Sequence, residues 1–131
     1  TAPFRAAQML RQADLEQVGI GLSHWQPEID GIRYRLANRS FGLYLPADGT
    51  SVELPLRRAP GAPDPLVVVI SAGGRKLYEP LLSGETWQQI RVQLPRSNRR
   101  FARVDFEVRP ARSRDGSVPS PAVYVGKTER R

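Results

Sequence analysis

The sequence contains no cysteine and only one histidine, His24. Without cysteine the chain cannot form a disulfide, a thiolate zinc site or a catalytic thiol. A Ser-His-Asp arrangement would need His24 as its base, and no G-x-S-x-G motif supplies the nucleophile. Zinc and iron sites need several converging histidine, cysteine or carboxylate ligands, which one histidine cannot provide. We therefore expect no catalytic residue, no metal and no cofactor in this chain.

Long hydrophobic runs are also missing. No stretch approaches the roughly 20 apolar residues that cross a bilayer as a helix, and no signal peptide is visible. The chain begins with Thr1 rather than with methionine. We therefore expect a processed product or a fragment of a larger protein, whose targeting or membrane segments, if it has any, are no longer attached.

Lysine is scarce, although the chain is strongly basic. The 20 basic residues are 18 arginines and 2 lysines, and the net charge is +7. A basic domain suits nucleic acid, an anionic membrane surface or an acidic polysaccharide as its partner. The arginines are dispersed along the chain, however, which is more typical of solvated faces than of a basic arm.

The signature motifs of several binding classes are absent from the sequence. Phosphate-binding glycine loops, the RNA-recognition signature and zinc-finger spacing do not occur. Glu28, Asp30 and Asp115 carry oxygen ligands for calcium, but they lack the spacing of a calcium loop and are typical of turns. None of the 13 acidic residues is singled out by its context as half of a glycosidase pair.

Proline and glycine, by contrast, are abundant. Twelve prolines and eleven glycines in 131 residues predict many turns between short strands. The N-terminus differs, because Phe4, Ala7 and Leu10 recur at helical spacing after Pro3. We predict a connector helix within residues 1–17 and an all-β domain over residues 18–131.

Eight or nine strands follow from the alternation of large apolar and polar residues and from the turn signals between them. Their spacing of about eight to twelve residues predicts an antiparallel, jelly-roll-like β-sandwich. Asp48-Gly49 and Gly73-Gly74 are predicted to be hairpin turns, and Pro80 indicates an edge strand or a bulge. The predicted strands are VGIGL, GIRYRLANR, FGLYLP, SVELPLRR, PLVVVISA, RKLYEPLL, TWQQIRVQLP, RFARVDFEVRP and PAVYVGK. The continuous apolar run PLVVVISA is predicted to be central and covered on both sides.

The stretch SHWQPEIDGIRYRLANRSFGLYLP holds most of the candidate binding residues. Alternation explains Ile32, Tyr34 and Leu36 as one face of a sheet. It predicts that Arg33, Arg35 and Arg39 project from the opposite face or a loop. Trp87 is predicted to be a core residue.

Carbohydrate-binding sandwiches place flat aromatic rings beside polar side chains that orient hydroxyl groups, because a ring has an apolar face and a wettable rim. Tyr78 and Trp87 are further aromatic candidates, and for Trp25 a core position is slightly favoured over a ligand contact. The predicted ligand-binding face consists of His24, Trp25, Glu28, Tyr34, Arg35 and Tyr44. Two alternatives stay open: a structural module that packs on another protein, and a basic domain that stacks single-stranded nucleic acid on its aromatic rings.

The segment GLSHWQPEIDGIRYRLANRSFGLYLP resembles the opening of accessory β-sandwich domains in bacterial membrane glycosyltransferases of the dolichyl-phosphate-mannose mannosyltransferase-like kind. The later segments GGRKL, TWQQIRVQLP and AVYVGKTE are similar to a hairpin and the final strand of those domains. Leu36 stands where those domains have an aromatic residue. The residues that carry the likeness are Gly21, Trp25, Glu28, Gly31, Tyr34, Arg35 and the strand end Leu43–Pro46.

This resemblance implies a non-catalytic, extracytoplasmic accessory domain whose parent enzyme would carry its chemistry in a neighbouring transmembrane region. The helix within residues 1–17 would be the connector to that region. We therefore expect a binding or interaction module with a glycan or a partner protein as its ligand. Contact with a membrane would be made only through the missing neighbour, and nucleic acid is the least favoured partner.

Overall fold

A computed structural model describes residues 19–49, 51–111 and 121–130 of the chain. Within these ranges every regular element is a β-strand, which confirms the predicted all-β class. The connector helix predicted within residues 1–17 and the calcium candidate Asp115 lie outside the described residues. The strands are β1 (Gly19–Leu22), β2 (Gln26–Ile29), β3 (Ile32–Pro46), β4 (Ser51–Arg58), β5 (Leu66–Ala72), β6 (Arg75–Tyr78), β7 (Leu81–Leu82), β8 (Gln88–Gln93), β9 (Phe101–Pro110), β10 (Val123–Gly126) and β11 (Glu129–Arg130).

All strand pairs are antiparallel, and together they form one sheet that curls as a half-barrel around the core. The main path of hydrogen-bonded neighbours runs β11-β4-β10-β3-β9-β5-β6. Four short strands lie off this path, because β1 and β2 pair with β3, β7 pairs with β5, and β8 pairs with β4. Within the described ranges there is no helix with the length and apolar character needed to cross a membrane.

The 15-residue strand β3 joins two parts of this sheet. Its first half, from Tyr34 to Ala37, pairs with β10, and its second half, from Ser40 to Pro46, pairs with β9. We call the first part, with β2, β4, β8, β10 and β11, the β4 side of the sheet. The second part, with β1, β5, β6, β7 and β9, is called the β9 side.

The core lies on the inner face of the curl and draws side chains from both sides. Alternate residues of β3, β5 and β9 point inward, as the two-residue period of a strand requires. Phe41 and Phe106 stack in this core with ring centroids 4.6 Å apart and ring planes within 3° of each other. Fully buried inward residues include Leu43, Leu54, Leu56, Leu66, Val68, Ile70, Leu82, Val104, Val123 and Val125.

Some predicted strands and turns differ from the structure. The segments GIRYRLANR and FGLYLP are one continuous strand, because Asn38 to Ser40 stay extended and contain no turn-forming glycine. Asp48-Gly49 connects β3 to β4 without making a hairpin, since the hydrogen-bonded neighbours of β4 are β8, β10 and β11. The predicted hairpin at Gly73-Gly74 is confirmed, and both glycines have positive φ angles.

The strand predicted as RKLYEPLL breaks before Pro80 into β6 and β7, and β6 ends the strand path as an edge. The apolar run of β5 is central, because it pairs with β9 on one edge and with β6 and β7 on the other. Only its inner face is fully buried, since Leu66, Val68 and Ile70 alternate with half-buried Val67 and Val69. The expectation that both faces are covered is therefore too strong.

Candidate functional site

Three aromatic rings come together on the outer face of the β4 side. Tyr34 is the central ring, with its centroid 4.3 Å from that of Tyr124 and 6.3 Å from that of Trp87. The ring planes are tilted by 35° in the first pair and by 54° in the second. All three side chains are half-buried, so part of each ring faces solvent. We call these three residues the aromatic cluster.

Strand register explains why two of these rings meet. Tyr34 lies opposite Gly126 and Tyr124 lies opposite Leu36, in an antiparallel pair of β3 with β10. Tyr34 and Tyr124 are therefore diagonal neighbours on one face, a separation that aromatic side chains can bridge. The arrangement depends on pairing two segments that are far apart in the sequence.

Gly126 lies opposite Tyr34, and the side chains next to it are tightly packed. A Cβ atom at this position would lie 2.8 Å from Cγ2 of Ile32 and 2.9 Å from Cβ of Pro55. These distances are shorter than carbon atoms can approach without displacing each other, so any larger residue would push Ile32 or Pro55 away. Glycine here leaves room for the side chains of Ile32 on β3 and Pro55 on β4 to pack over β10, opposite Tyr34 in register.

Trp87 is fixed by a hydrogen bond as well as by packing. Its indole Nε1 donates to the backbone carbonyl of Ile29 at 2.9 Å. The bond joins the segment before β8 to the end of β2, 58 residues earlier in the chain. The indole is half-buried, so the prediction that Trp87 is a core residue holds only in part, because the ring packs on the outer face. A buried donor that is satisfied in this way holds the ring in one orientation.

The charged groups beside the cluster are Arg57 and Asp30. Arg57 lies opposite Tyr124 in the β10–β4 pair, and its Nη1 is 3.1 Å from Oδ2 of Asp30. Asp30 and Gly31 form the two-residue turn between β2 and β3, with φ angles of 51° and 80°. Both angles are positive, as a type I′ hairpin turn requires, and this favours Asp-Gly in the sequence.

The phenol of Tyr124 is the group whose ionisation the cluster alters. Its pKa is raised above the ordinary 10.0, first by burial and then by the charge and hydrogen bond of Tyr34. The positive charge of Arg57 acts in the opposite direction and lowers this pKa. Tyr124 therefore stays a neutral hydrogen-bonding phenol at physiological pH.

A second aromatic feature lies on the opposite side of β3. The guanidinium carbon of Arg35 is 4.4 Å from the ring centroid of Trp25, and that of Arg33 is 5.5 Å away. Arg35 is only 8 % exposed, and burial lowers its pKa to about 10, so it remains charged at neutral pH. The charged guanidinium of Arg35 therefore makes a cation–π contact with the Trp25 indole, and that charge is largely shielded from water.

The structure distributes the predicted binding residues over four places. Trp25 and Arg35 are in contact with each other, whereas Tyr34 belongs to the aromatic cluster on the other face of β3. Tyr44 lies ten residues farther along β3, on the outer face of the β9 side. His24 and Glu28 are exposed before and within β2.

The alternation expected in the first half of β3 is present, but its sides are reversed. Arg35 and Ala37 point into the core, and Leu36 is 37 % exposed on the outer face. The expectation that Arg35 projects away from the core was therefore wrong. From Arg35 to Leu45, the buried side chains of β3 lie at odd positions, which are Arg35, Ala37, Phe41, Leu43 and Leu45. The strand therefore keeps one phase while its apolar residues change from even to odd positions.

Tyr124 is the member of the cluster that sequence reasoning missed. It lies in the short segment AVYVGK, where it alternates with Val123 and Val125. This alternation places it on the outer face of a strand. Nothing local in the sequence indicates that this strand inserts between β3 and β4, because the pairing is long-range.

The outer face of the β9 side has a different character. A cleft of about 340 Å³ lies over Gly42, whose missing side chain leaves its floor open. Arg103 donates from Nε to Oδ1 of Asp105 at 2.9 Å on one wall. Ser40, Ser71 and Glu107 add polar groups, and Ile20 and Val69 add apolar ones.

A cluster of three or more histidine, cysteine or acidic residues that could hold a metal ion is absent from the described part of the chain. No protein-family model matches the sequence, and no curated protein matches it either.

Proposed function

We propose that this chain is a non-catalytic accessory domain with a jelly-roll-like β-sandwich architecture, and that it binds glycan on the aromatic cluster. The antiparallel, all-β sheet curled around a single core supports the architecture. The resemblance to accessory domains of bacterial membrane glycosyltransferases supports an extracytoplasmic place in a larger envelope protein. The parent protein would then hold the catalytic machinery.

The observation that carries the proposal is the aromatic cluster. Its three rings, those of Tyr34, Trp87 and Tyr124, are half-buried on the outer face of the sheet, away from the core. Sugar rings offer apolar C–H faces that stack on aromatic rings, and the phenol and indole edges can remain hydrated. This chemistry makes a glycan the ligand that fits the cluster best.

The tilt between the rings favours an oligosaccharide over a single sugar. Planes inclined by 35° and 54° cannot all stack on one flat ring. They can follow a chain whose successive sugar rings turn relative to one another. The hydrogen bond from Trp87 and the contacts among the three rings restrict the rings before binding, which reduces the entropy lost on binding.

Calorimetric titration tests this proposal with linear hexasaccharides of glucose, N-acetylglucosamine, mannose and uronic acids. We expect Tyr34→Leu to weaken binding about fivefold, since a stacked aromatic contact contributes on the order of 1 kcal/mol. The matched control is Tyr44→Leu. Tyr44 is also half-buried on the outer face of β3 but lies on the β9 side, so its replacement should leave affinity within twofold.

Absence of binding to every oligosaccharide in the panel would contradict the proposed function. Equal losses in Tyr34→Leu and Tyr44→Leu would contradict the assigned location. If single-stranded oligonucleotides bind and oligosaccharides do not, the rings serve base stacking instead. That outcome would show a steep dependence of affinity on salt.

Packing on a partner protein is a second candidate, and Leu36 favours it. This side chain is 37 % exposed beside Tyr124, and with Ile32 it extends the cluster by apolar surface that a glycan does not require. A protein partner would lose affinity in Leu36→Ser. Glycan binding should be unchanged in the same variant.

A further inference from the structure

Arg57 is the charged residue closest in register to the aromatic cluster. It faces Tyr124 across the β10–β4 pair, and its positive charge is felt by the Tyr124 phenol. Its side chain is only 18 % exposed, so the guanidinium is held against the sheet. A strand residue packed in this way has a fixed position beside the rings.

Its partner Asp30 is held much less firmly. The Asp30 side chain is 75 % exposed at the tip of the β2–β3 turn, and its Oδ2 accepts a hydrogen bond from Nη1 of Arg57 at 3.1 Å. An ion pair with one member this exposed is strongly screened by water and adds little to stability. A carboxylate from another molecule could therefore replace Asp30 at low cost.

The guanidinium of Arg57 is well suited to bind such a carboxylate. Its planar fork of N–H donors matches the two oxygens of a carboxylate, and a two-point contact fixes orientation as well as charge. A carboxylate on a sugar ring that stacks on Tyr124 would point toward the neighbouring strand, where Arg57 lies. The net charge of +7 favours the approach of an acidic polymer over a neutral one.

We propose that the ligand of the aromatic cluster is an acidic oligosaccharide, and that Arg57 binds its carboxylate in exchange for Asp30. This inference rests on the proposed glycan-binding function and specifies its ligand class. Asp30 acts as a built-in competitor: it neutralises Arg57 in the free protein and leaves when a uronic acid binds.

The test compares each uronic acid oligomer with its own methyl ester, which keeps the sugar and removes the charge. Oligomers of galacturonate, glucuronate and mannuronate are titrated at low and at physiological ionic strength. We expect the acid form to bind at least about tenfold more tightly than the ester, because charge-assisted contacts are roughly twice as strong as neutral ones. Arg57→Gln should remove this preference and leave binding of the ester unchanged.

Asp30→Asn tests the exchange mechanism directly, because it removes the carboxylate that competes with the ligand. Asparagine tolerates the positive φ angle of this turn, so the hairpin should be preserved. Removing the competing carboxylate should tighten binding of the acid form by up to about fivefold and leave the ester unaffected. The matched controls are Glu79→Gln and Arg109→Gln, whose ion pair has the same 3.1 Å distance but lies on the β9 side.

The possible outcomes distinguish a failure of this inference from a failure of the proposed glycan-binding function. If acid and ester bind equally, and Tyr34→Leu still weakens binding of both, the cluster binds glycans but Arg57 does not select the charge. If Asp30→Asn tightens both forms, or Glu79→Gln has the same effect as Asp30→Asn, the exchange mechanism is wrong. If no oligomer binds in either form, the proposed function itself fails.

Discussion

The two halves of β3 present different chemistry on the same outer surface. The first half presents Tyr34 and Leu36 to solvent and turns Arg35 toward the core. The second half presents Ser40 and Tyr44 beside a glycine, in a region of ion pairs and hydroxyl groups. Both halves belong to one strand of one sheet and share one phase of alternation.

This difference separates what the fold requires from what it does not. The inner face of the second half consists of Phe41, Leu43 and Leu45, and burial of such residues is the main driving force of folding. The outer face can be polar without harm, as the second half demonstrates. The apolar and aromatic outer face of the first half is therefore not required by the core, and the proposed glycan-binding role would account for it.

The largest effect should come from Leu43→Ala in the second half. Leu43 is completely buried, so the loss of its side chain leaves a cavity and should lower the free energy of unfolding by about 3 kcal/mol. Leu36→Ser in the first half should cost no more than about 0.5 kcal/mol, because Leu36 is already partly in water. Urea denaturation measures both. Similar costs for the two variants would mean that the outer face of the first half belongs to the core.

An intermediate effect should come from glycine replacements on the two outer faces. Gly126→Ala brings a methyl group within 2.8 Å of Ile32 and should lower the free energy of unfolding by about 2 kcal/mol. Gly42→Ala is its counterpart on the β9 side. The nearest atom there is the flexible Arg103 side chain at 3.4 Å, so the cost should stay below about 0.5 kcal/mol. Thermal unfolding that ranks the two variants in reverse would contradict the tight packing described beside Tyr34.

The smallest effect concerns the ionisation of Tyr124. Tyr34→Phe removes the charge and hydrogen bond of Tyr34 and should lower the pKa of Tyr124 toward 10.0, leaving the contribution of burial. Tyr44→Phe should leave it unchanged. Titration by NMR of tyrosine ring carbons measures the difference, and an unaltered Tyr124 pKa in Tyr34→Phe would contradict their contact.

The same shift fixes the sign of a pH effect on stability. A phenol whose pKa is higher in the folded chain than in the unfolded chain contributes stability that is complete below about pH 10, the unfolded pKa. This stability is lost as the pH rises through the folded pKa. The free energy of unfolding should therefore decrease less steeply above pH 10 in Tyr34→Phe than in the unmodified protein.

Much of the all-β fold could be predicted from local sequence. The alternation in Phe41 to Leu45 and the Gly73-Gly74 turn act over a few residues, so their signals are readable without knowledge of partners. The reversed sides of Ile32 to Leu36 could not be predicted. Alternation defines two faces, and only the pairing with β10 and β9 determines which face meets the core.

The candidate site shows the same limit. Tyr34 was predicted as a ligand contact, but its neighbours Tyr124 and Trp87 come from distant parts of the chain. The grouping of Tyr34 with Tyr44 and Trp25 followed proximity in sequence. A strand that rises about 3.3 Å per residue separates Tyr34 from Tyr44 by far more than a side chain can span.

The position of β10 also affects the order in which this protein can assemble. β10 lies between β3 and β4, although it follows both of them by many strands. During synthesis β3 and β4 therefore emerge before β10, the strand that pairs with both of them. Until β10 pairs, the facing edges of β3 and β4 lack their hydrogen-bonding partner. Tyr124 arrives with β10, so a chain arrested before residue 124 would have much of its core sequence but an incomplete aromatic cluster. Under the proposed function, only molecules in which β10 has paired with β3 and β4 would be competent to bind glycan.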